Sequence, residues 1–182
     1  MRILGIDPGL QATGWGVIAS DGAQLRDVDH GVIRTTTRMS DPKRLGLIFG
    51  GLQNVINTYQ PETAIIEEIF VKNNPRSALR LGLARGVAML ACGEAQLVLS
   101  EVSARKVKQA VTGTGTADKK QVADMVSRLL GIPPPPSDAA DALALAIACY
   151  QGAAATKIQK AQGLDGLSVA IEAALQKDRQ KT

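Results

Sequence analysis

Apolar residues follow two rhythms along this chain. At the start, Arg2-Ile3-Leu4-Gly5-Ile6 is a short apolar run that ends in Asp7 and breaks at Pro8-Gly9, the make-up of a buried strand followed by a tight turn. Thr13 to Ser20 predicts a second strand, antiparallel to the first. Leu25 to Thr35 alternates with polar residues and predicts a third, partly exposed strand. The rhythm then turns helical: Asp41 stands as a cap with Pro42 at the first position, and Leu45, Ile48, Leu52, Val55, Ile56 and Tyr59 recur at helical spacing. Pro61 closes that helix, and Thr63 to Phe70 returns to strand, again apolar and again running into acid at Glu67 and Glu68.

From there strands and helices alternate, the order of an α/β sheet with crossover helices. A long helix over residues 75–95 is apolar around most of its circumference beyond Arg85, which predicts burial on more than one side. Ala78, Gly82 and Gly86 fall four apart on it and form a flat stripe. That stripe suits packing against the chain's own sheet or against a second subunit. Residues 97–102 predict the fifth strand, Ser103 caps a helix through Val111, and the Gly113-Thr114-Gly115 loop leads to a helix from Asp118 to Leu130. Pro133 to Pro136 is a stiff segment that delivers the chain to an alanine-rich helix, Ser137 to Ile147, with Asp138 and Asp141 at its start. Beyond Gly152, alanine, lysine and glutamine dominate. The reading is therefore one domain over 1–150 and a tail over 151–182, partly helical, for instance at Leu167 to Leu175, or disordered.

At 182 residues the chain can bury a core without metal or disulfide staples. Cys92 and Cys149 stand apart in alanine-rich surroundings with no Cys/His spacing, as small core residues in a reducing compartment do. His30 is the only histidine and has no partner for a zinc site. There is no signal-peptide pattern and no uncharged apolar run of membrane-spanning length, so a cytoplasmic protein is expected. The net charge of +4 permits a polyanionic partner. Its distribution is more telling. Between Lys72 and Arg128 ten Lys and Arg face four acids, a local net of +6, whereas residues 1–71 are net negative.

Three places present carboxylates at element ends: Asp7, Glu67, and the pair Asp138 and Asp141, which at a spacing of three share a helical face. Each alone has a plain explanation, as a turn cap, a solvated strand end, or an N-cap with a first-turn acid. Together on one edge they would raise one another's pKa unless cations neutralise them. Oxygen ligands without His or Cys select hard ions, Mg²⁺ or Mn²⁺. Two such ions suit in-line attack of water on a phosphodiester. The cationic middle then engages phosphates, with Lys119 and Lys120 beside the glycine loop, and Lys72, Arg76, Arg105 and Lys108 further candidates. Phe70 is either core or a base-stacking wedge.

Six motifs resemble the RuvC family of bacterial Holliday junction resolvases: Ile3-Leu4-Gly5-Ile6-Asp7-Pro8-Gly9 with Thr13-Gly14-Trp15-Gly16, Ile66-Glu67-Glu68-Ile69-Phe70, Ala84-Arg85-Gly86, Arg105-Lys106-Val107-Lys108-Gln109, Gly113-Thr114-Gly115 through Lys119, and Asp138-Ala139-Ala140-Asp141-Ala142-Leu143-Ala144. They stand in order from residue 1 to about 150. The resemblance implies an RNase H-like fold, with a mixed five-stranded sheet flanked by helices, and a homodimer that cuts four-way DNA junctions in symmetric pairs using divalent metal. By matching position it implies that Asp7, Glu67, Asp138 and Asp141 form the acidic site. It also implies that Lys108 and Lys119 meet phosphate near the scissile bond and that Phe70 stacks on a base at the junction centre. Work with the RuvAB branch-migration motor is implied in the same way. Glu68 departs from the pattern, and strand alternation turns it away from Glu67.

Three other readings compete. Actin-like ATPases and sugar kinases share the opening but need two such domains. A relative acting on ribosomal RNA precursors shares the fold, but the Arg105 to Lys108 segment, the glycine loop and the Asp138/Asp141 pair favour RuvC. A junction-binding protein without catalysis would leave four acids without a purpose.

Overall fold

The computed structural model describes residues 1–22, 24–68 and 75–161, giving the helical backbone alone at 75–76 and 153–161. The strands are β1 (Arg2–Asp7), β2 (Ala12–Ser20), β3 (Leu25–Arg34), β4 (Thr63–Glu67) and β5 (Val98–Val102). The helices are α1 (Asp41–Tyr59), α2 (Pro75–Glu94), α3 (Ala104–Thr112), α4 (Lys119–Leu130) and α5 (Ser137–Ala161). The sheet order is β3-β2-β1-β4-β5, with β1 and β2, and β2 and β3, antiparallel, and β1 and β4, and β4 and β5, parallel. This is the mixed five-stranded α/β architecture expected.

Alternation along β1 and β4 sorts the two faces of the sheet. Leu4, Ile6, Ala64 and Ile66 pack with Ile48, Leu52, Val55 and Ile56 of α1 and with Ala84, Ala88, Ala91 and Cys92 of α2. The other face is cut flat by Gly5, Gly14 and Gly16, which stand in register as Gly5 opposite Gly16 and Gly14 opposite Asp7. Helix α5 fills that strip with its backbone at Gly5 and Gly14 and with the Leu143 side chain at Gly16. A Cβ added at Gly5 would lie 1.9 Å from the Ala142 carbonyl oxygen, and one at Gly14 would lie 1.9 Å from that of Asp138. Both are impossible contacts, so glycine is what lets this helix lie so close. Ala139, Ala140, Ala142, Leu143, Ala144, Leu145, Ala146 and Ile147 are buried accordingly.

Several details depart from the sequence reading. Helix α1 is capped from Ser40, and Asp41 is instead its first-turn acid, paired with the buried Arg44 at 3.3 Å. Strand β4 stops at Glu67. Helix α5 runs on to Ala161, because alanine, lysine and glutamine propagate a helix and Gly152 is too weak a breaker to end it. Two compact units divide the chain, Met1–Cys149 and Tyr150–Thr182, and the helical stretch expected at Leu167 to Leu175 lies outside the described residues. Helix α2 is not buried on several sides: Leu79 is 72% exposed and Leu90 54%, because its alanine and Cys92 edge alone meets the core.

His30 lies on β3 with Nδ1 3.0 Å from Asp27, while the Tyr59 hydroxyl donates to Asp29 and the Tyr59 ring stacks on Trp15. This cluster pins β3 to α1. Both cysteines are free. Burial pushes the Cys92 thiol up to about 11, as for an inert core residue. Among the described residues, no helix is long and apolar enough to cross a membrane.

Candidate active site

Strand direction and alternation bring the first two acids together. Strands β1 and β4 run parallel, with Ile6 beside Ile66, so their carboxyl ends finish side by side. Because Ile6 and Ile66 face the α1 core, the next residues, Asp7 and Glu67, turn to the α5 face. Glu68 lies past the strand end and is exposed, its amide donating to the Val102 carbonyl at 2.9 Å. Only Glu67 of that pair enters the site.

The turn after Asp7 is braced from two sides. Buried Thr13 donates to the Gly9 carbonyl at 2.8 Å, and buried Thr35 donates to the Leu10 carbonyl at 2.5 Å and accepts from Arg44 Nε at 2.9 Å. A Cβ at Gly9 would come within 2.3 Å of the Ala12 carbonyl oxygen, which explains the Pro-Gly break. The sequence reading held Thr13 within the Thr13-Gly14-Trp15-Gly16 motif and Thr35 at the end of the expected third strand, and gave neither hydroxyl a role.

Helix α5 brings the remaining acids. The Pro136 carbonyl accepts from the Ala140 amide at 2.8 Å, so Asp138 lies in the first turn rather than at the cap. Asp141, one turn on, lines a cleft of about 230 Å³ with Asp7, Glu67, Lys108 of α3 and Lys119 of α4. Val107, Val122, Ala144 and Leu145 form its apolar wall. Helix α4 is set by a capping box between Asp118 and Gln121, which places Lys119 at the first helical position. Lys119 Nζ lies 2.7 Å from Asp141 Oδ2. Asp138 is outside the lining, at the rim, yet close enough for its charge to act on Asp7.

The charges interact strongly. Burial pushes the Asp7 carboxyl up to about 7, with Asp141, Glu67 and Asp138 adding to the rise and Lys119 opposing it. Burial and Asp141 also push Glu67 up, against Lys119 and Lys108. The hydrogen bond to Asp141 raises Lys119 in turn. A set of carboxylates that disfavours its own ionisation in this way is matched to an added cation. Among the described residues, no three His, Cys, Asp or Glu side chains stand close enough as placed to grip an ion together. Asp141 would have to exchange the Lys119 ammonium for a metal.

Phe70 and Lys72 are outside the described residues, as is the Arg76 side chain. Arg105 is exposed, with its stem against Gly115, where a Cβ would meet Arg105 Cγ at 2.8 Å. Lys120 is exposed beside the cleft. On α2, a Cβ at Gly82 or Gly86 would meet nothing within 4 Å, so that stripe is not packed against the chain's own sheet.

Comparison with known proteins agrees with this fold. The family model described as crossover junction endodeoxyribonuclease RuvC matches residues 3–149. A protein of that name from Acidovorax sp. (strain JS42) is 50% identical over 166 residues, covering 87% of this chain and 89% of the relative. Thermus thermophilus RuvC, solved in complex with a Holliday junction substrate, superposes with a TM-score of 0.77 at 36% identity over 81% of this chain and 92% of that one. A yeast mitochondrial Holliday junction resolvase shares the fold at a TM-score of 0.55 and 12% identity, over 80% of this chain and 77% of that one.

Proposed function

Because the chain belongs to the RuvC family of crossover junction endodeoxyribonucleases, we propose that it resolves four-way DNA junctions by paired, symmetric hydrolysis of phosphodiester bonds. The observation that carries this reading is the convergence of Asp7, Glu67 and Asp141 on one cleft walled by Lys108 and Lys119. Asp7, Glu67 and Asp141, with Asp138 at the rim, are the residues that would hold divalent metal. Their oxygen-only chemistry favours Mg²⁺, with Mn²⁺ as its substitute. Two bound ions per site would supply an activated water and stabilise the leaving oxygen.

The chain's own residues set the conditions for that chemistry. Burial and the neighbouring acids hold the Asp7 carboxyl up at about 7, so an added cation would favour its charged form. Lys108 and Lys119 offer positive charge where a scissile phosphate enters, and the apolar wall of Val107, Val122 and Leu145 lowers the local dielectric and strengthens each interaction. Lys119 pairs with Asp141 at 2.7 Å and would have to yield that carboxylate for Asp141 to hold an ion. Lys72, Arg76, Arg105 and Lys120 are further candidates for phosphate contact, and Phe70 is the candidate for stacking on a base. The open face of α2, with Gly82, Gly86 and Ala78 among exposed leucines, is the homodimer surface, and two copies would bring two cleavage sites to one symmetric junction. Family membership supports a partnership with the RuvAB motor.

The test is incubation of purified protein with four-way, three-way and linear DNA in Mg²⁺, with the nicks mapped on opposing strands. Symmetric cuts confined to the four-way junction are expected. Equal cutting of linear DNA, or binding without cutting, would overturn the reading.

A further inference from the structure

The peptide unit that follows Glu67 is held at both ends by groups from two other elements. Its carbonyl, that of Glu67, accepts from Arg85 Nε at 3.3 Å, and its amide, that of Glu68, donates to the Val102 carbonyl at 2.9 Å. The second contact is the last rung of the β4–β5 ladder, where Glu67 pairs with Val102 and Ile66 with Glu101. The first contact spans elements: Arg85 rises from α2, and its side chain is only 15% exposed.

The guanidinium is itself fixed. Arg85 Nη2 lies 2.5 Å from Glu101 Oε2 on β5, and Nη1 lies 3.1 Å from Met89 Sδ one turn along α2. A planar fork bound on these sides has little freedom left. Its Nε–H is aimed at one backbone oxygen, on the residue whose side chain enters the acidic cleft.

We propose that Arg85, anchored by Glu101, is the positioning residue for Glu67: it fixes the peptide plane after Glu67 and with it the direction in which that carboxylate points into the cleft. This rests on the proposed role of Glu67 in holding metal. Strand β4 ends at this residue, and the ladder alone leaves its carbonyl side free to rotate. Arg85 closes that freedom. A residue in this position acts on the reaction without touching DNA or metal, because misplacing a reacting group by about 1 Å can lower a rate roughly 100-fold.

Arg85→Met, Arg85→Lys, Glu101→Gln and Glu67→Gln separate the alternatives. Cleavage would be followed under single turnover at saturating protein, junction affinity in Ca²⁺, and Mn²⁺ binding to the protein alone by calorimetry. Arg85→Met is expected to slow cleavage about 10-fold or more, and to weaken Mn²⁺ binding, with junction affinity unchanged. Arg85→Lys, keeping the pair with Glu101 but losing the fork, is expected to fall between it and the parent. Glu101→Gln is expected to show a smaller loss of the same kind, and it carries the test should Arg85→Met fail to fold. Parent-like cleavage and Mn²⁺ binding in these variants, or a loss confined to junction affinity, would overturn the proposal. Glu67→Gln reports on the site itself. If it is inactive while the Arg85 variants are not, the positioning role fails and the site stands; if it cuts normally, the site assignment fails.

Discussion

Gly14 and the carbonyl of Asp138 occupy one place in the packing: a Cβ on the glycine would sit 1.9 Å from that oxygen. Since Gly14 also pairs with Asp7 across the β1–β2 ladder, one missing side chain sets how closely the first turn of α5 approaches the carboxylate at the centre of the cleft. Gly14→Ala should push the start of α5 off the sheet. The expected result is a loss of about 1–3 kcal/mol in stability, typical of overpacking, with a larger loss of cleavage than of junction binding. Thermal unfolding beside single-turnover assays measures both.

Asp7→Asn is expected to keep four-way-junction binding and to reduce Mg²⁺-dependent cleavage by roughly a thousandfold or more, the scale of several kcal/mol of lost transition-state stabilisation. Gel-shift in Ca²⁺ and cleavage in Mg²⁺ on the same junction read the two effects. A variant that still cuts would remove Asp7 from the metal site.

The same residue makes stability depend on pH. Its carboxyl is raised from 3.8 to about 7 in the folded chain, so between those values the folded state holds a proton that the unfolded state has lost. Stability from this group is therefore full below 3.8 and declines as pH rises towards about 7. Thermal melts of metal-free protein should show this decline, and Asp7→Asn should flatten it. Saturating Mg²⁺, bound by the ionised form, should oppose it, because a ligand that binds only the folded state stabilises it. A metal-free midpoint that instead rises over this range for the parent and not for Asp7→Asn would contradict the raised value.

Lys119→Met removes the cation at 2.7 Å from Asp141, and with it a charge that lowers the pKa of both Asp7 and Glu67. The acid limb of the pH–rate profile should move to higher pH, and cleavage should fall at neutral pH by more than junction affinity does. An unmoved limb would mean that Lys119 serves only to bind phosphate.

Gly86→Leu introduces bulk on a face where a Cβ meets nothing within 4 Å. In an isolated chain the change favours the helix, since glycine is the poorer helix former by about 0.8–1 kcal/mol relative to alanine. Loss of the dimer by sedimentation, with the fold retained, is the expected outcome. An undisturbed dimer would place the subunit contact elsewhere.

Much of this was legible from local pattern. The apolar run closed by Asp7-Pro8-Gly9, the helical spacing from Leu45 to Tyr59, the helix opening at Asp118 and the turn-forming glycines each express a period or a terminus, properties of one element and its immediate neighbours. So did the pairing of Asp138 with Asp141 on one helix face. Tertiary structure decided what depends on distance between elements: that Asp141 lines the cleft while Asp138 stays at the rim, that Lys119 holds Asp141, and that Arg85 reaches the Glu67 carbonyl. It also left the outer face of α2 open where composition alone suggested burial. The physical reason is that the site is set by how closely backbones approach. That approach is set by side chains that are absent, at Gly5 and Gly14, whose effect appears only when α5 lies against them.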